Sequence, residues 1–142
     1  STRKSEQAIW WGRKRPGGIP VDSGREQARV AADAIFSKKG MDIVLLDVEG
    51  LFVLSDVFVI ATGTSRPHVQ SLAEHVEERM SEELGLKPLR SEGRAEAEWV
   101  LLDFGDVIVH VFQASAREFY GLERLWADAE KVDWVEPVAA DG

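Results

Sequence analysis

Short apolar runs rich in β-branched residues alternate with segments of helical period, and this alternation constrains the fold more than any other feature of the sequence. DIVLLDV (42–48) and LFVLSDVFVIATG (51–63) are typical of buried strands. The segments around them repeat apolar residues every three or four positions, as amphipathic helices do. Because strands and helices are interspersed in a chain of 142 residues, the sequence predicts one α/β domain with a mixed β-sheet flanked by helices.

The first predicted helix begins after Asp22 or Ser23, which are both suitable N-caps, and ends at Gly40. The two strand segments that follow are expected to be buried on both faces, because they contain long apolar runs. The second of them, 51–63, forms either one strand or two strands that separate near Ser55.

A second helix is predicted after the TSRP segment, with Pro67 in its first turn and Gly85 at its end. Its apolar residues form one stripe, and its glutamates lie on the outward face, which we interpret as a solvated helix surface. The stripe consists of Val69, Leu72, Ala73, Val76, Met80 and Leu84, and the acidic face consists of Glu74, Glu77, Glu78, Glu82 and Glu83.

WVLLDFGDVIVHVF (99–112) predicts two strands joined by a turn at its Phe-Gly dipeptide. A two-residue loop would place Trp99 opposite His110 and Asp103 opposite Asp106, on one face of the sheet. Like charges at the last pair oppose each other, so the sequence favours a wider turn that is open to solvent.

A third helix is predicted to open with Ser115 and Glu118, which have the spacing of a capping box. Its REFYGLERLWADA segment (117–129) predicts a single apolar stripe that packs on the core. Tyr120 lies almost opposite this stripe and is therefore expected outside the core. The stripe consists of Phe119, Leu122, Leu125, Trp126 and Ala129.

Charge divides the chain into a basic segment and an acidic body. Residues 1–21 sum to +4 and residues 22–142 sum to −12, within a formal net charge of −8. We expect the first range to be a flexible tail and the second to be the folded domain. Clustered lysine and arginine bind phosphate backbones, so the acidic body favours a basic protein partner and predicts little direct nucleic-acid binding. The alternative is a basic arm that binds nucleic acid, with Trp10 and Trp11 stacking on bases.

Candidate catalytic and metal-binding residues lack the spacing of known sites. The turn Gly63–Ser65 precedes the second helix, where N–H groups accept anions in other folds, but it lacks the glycine loop and lysine of a P-loop. The histidines lack metal-ligand spacing, and His110 is expected to be neutral and hydrogen-bonded in a half-buried sheet. We therefore expect no catalytic residue, cofactor or metal. The alternative is a nucleotidyltransferase-like or phosphohydrolase enzyme that uses this turn with nearby strand-end carboxylates, namely Asp47, Asp56, Asp103 and Asp106.

The absence of cysteine excludes disulfides and thiolate metal sites. The longest near-apolar run, 51–61, contains an aspartate and is about half the length that crosses a bilayer. The N-terminal segment lacks the apolar stretch of a secretory signal. These features predict a cytoplasmic protein with no membrane partner.

Four blocks of the chain, in this order and spacing, resemble the ribosomal silencing factor family, also called the Iojap family. They are DIVLLDVEG, LSDVFVIATGTSRPHV, EWVLLDFGDVIVHVF and REFYGLERLW, and the resemblance covers roughly residues 25–136. The resemblance implies a nucleotidyltransferase-like α/β fold without the catalytic carboxylate pattern. It also implies a translational repressor that binds the large ribosomal subunit through ribosomal protein fourteen and blocks joining of the small subunit when nutrients are short.

The resemblance also implies which residues bind the partner. By motif position, the aromatic anchors are Trp99 in the strand block and Tyr120 in the helix block. Three charged residues are expected near these aromatics at a polar rim, namely Asp106, Arg117 and Arg124. The exposed aromatic helix face leaves open a homodimer of the free protein, released on the ribosome.

Overall fold

The computed structural model describes residues 24–137, so the predicted tail 1–21 and the N-cap candidates Asp22 and Ser23 lie outside the described residues. The predicted helices and strands occur in the predicted order, with strands between helices, and the short strands at 90–92 and 130–131 were not predicted. In chain order they are α1 (Gly24–Ser37), β1 (Met41–Asp47), β2 (Val57–Gly63), α2 (Arg66–Leu84), β3 (Arg90–Glu92), β4 (Trp99–Asp103), β5 (Val107–Gln113), α3 (Ala114–Tyr120), α4 (Leu122–Leu125) and β6 (Glu130–Lys131).

The strands form one mixed sheet in the order β3-β4-β5-β2-β1-β6. The central pair β2 and β5 is parallel, and the other neighbouring pairs are antiparallel. The two central strands are almost completely buried, as a parallel pair covered on both faces must be. The prediction of an α/β fold with a mixed sheet is therefore confirmed.

Helices α1 and α2 cover one face of the sheet, and their apolar stripes form the larger core cluster with β2, β4 and β5. The predicted stripe of α2 is buried from Val69 to Met80, and Leu84 is partly buried. Ser65 caps α2 by accepting a hydrogen bond from the backbone N–H of His68, and Gly85 ends the helix in the left-handed conformation. None of the helices within residues 24–137 is both long and apolar enough to cross a bilayer.

The other face of the sheet has a thinner cover. Phe58, Ile60 and Phe112 are buried there beneath the α3–α4 segment and the β1–β2 connection. Leu122, Trp126 and Phe52 pack against them but stay partly exposed. This face therefore leaves the side chains of Phe52 and Trp126 partly exposed to solvent.

The first strand segment is less buried than predicted. Among the described residues, only Leu46 and Asp47 of β1 pair with β6, so no described strand lies outside Met41 and Asp42, which are exposed. The segment 51–63 contains one strand, which begins at Val57, and residues 51–54 lie in the connection that precedes it.

The end of α1 also differs from the prediction. The helix ends at Ser37, and the left-handed residue is Lys39 (φ 69°) rather than Gly40. Gly40 is needed for packing instead, because a Cβ there would lie 2.1 Å from a methyl group of Ile35.

The β4–β5 turn is wider than two residues, as the opposed carboxylates predicted. Trp99 pairs with Phe112 and Asp103 pairs with Ile108, two positions away from the register of a two-residue loop. A shift of two leaves every side chain on its predicted face, because the strand period is two. Trp99 and His110 therefore still share a face.

The prediction of one continuous third helix is wrong. Gly121 (φ 58°) separates α3 from α4, and α3 begins at Ala114, so Ser115 is not its N-cap. The break turns Phe119 and Leu125 away from the core, where they are 78% and 74% exposed. Leu122, Trp126 and Ala129 keep their predicted positions against the sheet.

Candidate protein-binding surface

The surface formed by the rings of Trp99, Phe119 and Tyr120 is the candidate site, and we call it the aromatic surface. Trp99 opens β4, and Tyr120 is the last residue of α3. Their ring centroids lie 4.9 Å apart, and the rings of Phe119 and Tyr120 lie 5.0 Å apart in an edge-to-face arrangement. The structure therefore brings together the two rings that the family resemblance named as anchors.

His110 lies beneath this surface. The indole Nε1–H of Trp99 donates a hydrogen bond to His110 Nδ1 at 3.1 Å. The imidazole is buried, and its burial lowers the pKa of His110 to about 3. The prediction of a neutral, hydrogen-bonded histidine is confirmed, but its surroundings are fully rather than half buried.

Phe119 is the residue that sequence reasoning missed. A helix that continued through Gly121 would direct Phe119 into the core, whereas the observed break leaves it more exposed than Tyr120, which is 50% exposed. The glycine within FYGL was the available signal, because glycine inside a helical pattern is a frequent C-cap.

Arg117 holds the helix pair on the sheet and is not a free rim residue. Its guanidinium donates to both carboxylate oxygens of Glu123, to Thr62 Oγ1 and to the carbonyl of Asp42. The hydrogen bonding from Arg117 holds the pKa of the Glu123 carboxyl below its usual value. Arg117 thus joins α3, α4, β1 and β2, and its contribution is to position the aromatic surface.

Arg124 is the more accessible arginine. It lies on α4, is exposed, and lines an open cleft of about 360 Å³ together with Arg117, Glu118 and Glu123. Its guanidinium folds over Gly121, where a Cβ would lie 2.3 Å from a terminal nitrogen. A role for Arg124 at the rim of the aromatic surface stays a prediction.

Asp106 does not lie near the aromatic surface, which corrects the expectation from the sequence. It precedes the first residue of β5, whereas Trp99 pairs with Phe112 near the last one, so six residues of extended strand, about 20 Å, separate Asp106 from the level of Trp99. Its carbonyl accepts from the backbone N–H groups of Asp56 and Val57, which is a role in the fold.

The Gly63–Ser65 turn uses its polar groups internally. The N–H of Thr64 donates to His68 Nδ1, and the Ser65 hydroxyl caps α2. A Cβ at Gly63 would lie 2.8 Å from a methyl group of Val69, so the glycine serves close packing. This arrangement gives no support to the enzyme alternative.

Two of the remaining candidate carboxylates have structural partners. Asp47 binds Arg25, and Asp103 binds Arg90 while it accepts from the N–H of Gly105. Within residues 24–137, no group of three or more histidines and carboxylates is arranged to hold a metal ion. The acidic face of α2 is largely solvated as predicted, although Glu77 pairs with Arg94 and Glu83 with Arg79.

Comparison with known proteins gives consistent matches over most of the chain. The family model described as "Ribosomal silencing factor during starvation" matches residues 21–141. Several curated bacterial relatives carry the name ribosomal silencing factor, and two of them illustrate the match. The protein from Halalkalibacterium halodurans is 40% identical over 111 residues, which cover 78% of this chain and 94% of that protein. The protein from Bacillus subtilis is 42% identical over 105 residues, which cover 74% and 88%.

A solved structure supports the fold. The crystal structure of a Chromobacterium violaceum protein matches with a TM-score of 0.71 at 36% sequence identity, and the match covers 83% of this chain and 97% of the other.

Proposed function

This chain belongs to the ribosomal silencing factor family, and we propose that it binds the large ribosomal subunit through ribosomal protein fourteen and blocks joining of the small subunit. The proposed condition for its action is nutrient limitation, in line with the family description. The proposed compartment is the cytoplasm. A factor of this kind is a regulator that acts by occupying a surface, and it needs no bond-making step.

The aromatic surface is the observation that carries this proposal. Phe119 and Tyr120 expose large rings beside the half-buried Trp99. Aromatic side chains are favoured anchors of protein contacts because they bury much area with little loss of rotamer freedom. Here they are mounted on a strand and on a helix that Arg117 fixes, so they are ordered before a partner arrives.

The charge of the chain supports a basic protein partner. Residues 22–142 sum to −12, and ribosomal proteins are commonly basic, so opposite charges favour their encounter. The same aromatic surface is the proposed contact of a homodimer in the free protein, and pairing and ribosome binding would then compete for it.

Sedimentation of the protein with separated ribosomal subunits through a sucrose gradient tests the proposal. We expect the wild type to sediment with the large subunit and to reduce the assembled ribosome peak after the small subunit is added. Tyr120→Ala and Trp99→Ala should each weaken large-subunit binding by about 1 to 3 kcal/mol, because they remove the anchors. Phe119→Ala extends the test to the exposed ring that the sequence did not indicate.

Leu89→Ala is the matched control. Leu89 is 74% exposed, like Phe119, but it lies beside Gly105 in the β4–β5 turn, at the far end of the hairpin. We expect it to bind as the wild type does. A wild type that sediments with neither subunit, or that leaves the assembled peak unchanged, contradicts the proposed function. Unchanged binding by all three aromatic variants contradicts the assignment of the surface.

A further inference from the structure

Trp99 has its indole fixed by contacts of two kinds. Its ring stacks on Phe112 at 4.9 Å with an interplanar angle of 28°, and this contact leaves rotation within the ring plane free. The hydrogen bond from Nε1 to His110 Nδ1, at 3.1 Å, fixes that remaining freedom because it is directional. Together they hold one orientation of the indole at the edge of the aromatic surface.

His110 keeps one ring nitrogen unsatisfied to make this bond. An indole N–H only donates, so Nδ1 of His110 must accept and the proton must lie on Nε2. Nε2 is buried and has no hydrogen-bond partner among the described residues. A buried donor without a partner destabilises a fold, so its presence here indicates that the histidine has another role.

The surroundings of His110 would suit an apolar ring better. Phe58 packs edge-to-face on the imidazole at 4.8 Å, and Phe112 lies on the same face of the sheet. A phenylalanine at this position would remove the unsatisfied Nε2, but it would leave the indole N–H of Trp99 without its acceptor. Histidine therefore supplies the acceptor for the Trp99 indole N–H, which phenylalanine cannot.

The orientation of Trp99 affects the rest of the aromatic surface. Tyr120 packs on the indole at 4.9 Å, and Phe119 packs on Tyr120 at 5.0 Å. A change in the indole angle therefore changes the support beneath both exposed rings. Ordered anchors bind a partner more tightly than mobile ones, because less freedom is lost on binding.

We propose that His110 is a positioning residue for partner binding, which holds the Trp99 indole through Nδ1 and thereby orders the aromatic surface without touching the partner. This inference rests on the proposed function, because the ordered surface is the one proposed to bind the large subunit.

The test combines His110→Phe with Trp99→Phe. His110→Phe removes the acceptor and keeps a ring of similar size, and Trp99→Phe removes the donor and keeps a ring. In His110→Phe we expect the indole N–H resonance of Trp99, assigned by its absence in Trp99→Phe, to shift and its hydrogen exchange to accelerate. Affinity for the large subunit should fall about three- to tenfold, the fold-change equivalent to one hydrogen bond.

The double variant separates positioning from general packing. If the two residues act through one bond, His110→Phe added to Trp99→Phe should weaken binding no further. His110→Asn, whose Oδ1 can accept in place of Nδ1, should restore part of the affinity. Fully additive losses, or wild-type affinity in His110→Phe, overturn the inference.

Two further outcomes keep the result interpretable. If His110→Phe does not fold, Trp99→Phe alone removes the same bond, and wild-type affinity in that variant overturns the inference. If the wild type does not bind the large subunit, the proposed function fails. The indole resonance of the free protein then still reports whether His110 orders Trp99, and an unshifted resonance in His110→Phe overturns the positioning role itself.

Discussion

Burial of His110 makes the stability of the fold dependent on pH. Its pKa is lowered to about 3 in the folded protein, by desolvation, against an ordinary value of 6.5. Between these values the unfolded chain binds a proton that the folded protein does not. Above pH 6.5 the imidazole is neutral in both states and the free energy of unfolding is unaffected by it. As pH falls from 6.5 toward 3, protonation of the unfolded chain lowers the free energy of unfolding.

We predict that the free energy of unfolding falls more steeply with acid in the wild type than in His110→Phe. The difference between the two should change by about 1.4 kcal/mol per pH unit between pH 6 and pH 4. Urea denaturation of both proteins across this range measures it. The lowered pKa of Glu123 acts in the same direction but is present in both proteins, so it cancels. Parallel pH profiles would contradict the prediction.

Residue-level prediction from the sequence succeeded where the strand period decided the outcome. Trp99 and His110 share a face in either register, because the observed turn differs from a two-residue loop by two positions. Arg117 could not be assigned in this way. Its partners Asp42 and Thr62 lie 75 and 55 positions away along the chain, and only tertiary packing brings them to it.

At the scale of elements, the break between α3 and α4 determines which rings are exposed. Gly121 has φ 58°, a conformation that destabilises residues with a Cβ, and a Cβ there would also meet the guanidinium of Arg124. Phe119 and Tyr120 immediately precede this break. A change at Gly121 should therefore affect both the stability of the fold and the aromatic surface.

We predict that Gly121→Ala lowers the free energy of unfolding by about 1 to 2 kcal/mol and also weakens large-subunit binding. Gly85→Ala is the matched control, because Gly85 has φ 67° and a methyl group added there would meet no atom within 4 Å. It should lose similar stability by urea denaturation and keep wild-type binding. Equal large-subunit binding by Gly121→Ala and Gly85→Ala would contradict a role of the helix break in the binding surface.

Elements with strong local signals were predictable, and elements that depend on the sheet were not. Helix α2 has a proline in its first turn, an N-cap, one apolar stripe and a terminal glycine, and all of these agree. Apolar spacing that runs through Gly121 predicts a continuous third helix, and only the glycine itself indicates the break. Exposure at the start of β1 depends on how little of it β6 covers, and no local pattern indicates that.

For the whole molecule, the charge distribution predicts different salt dependence for a basic protein partner and for a nucleic-acid partner. The chain carries −8, of which residues 1–21 contribute +4. A basic protein partner should be attracted to the acidic body, and this attraction weakens as salt screens it over about 8 Å at physiological ionic strength. RNA phosphates should be repelled by the body and attracted only by the tail.

We predict that affinity for isolated ribosomal protein fourteen falls as salt rises, and that removal of residues 1–21 preserves or strengthens it, because the remaining chain carries −12. Calorimetric titrations of the full chain and of the shortened chain at several salt concentrations measure both effects. A single-stranded RNA serves as the comparison ligand, and neither protein should bind it tightly. Loss of affinity for ribosomal protein fourteen on removal of the tail, or tight RNA binding by the full chain alone, would transfer recognition from the aromatic surface to the basic segment.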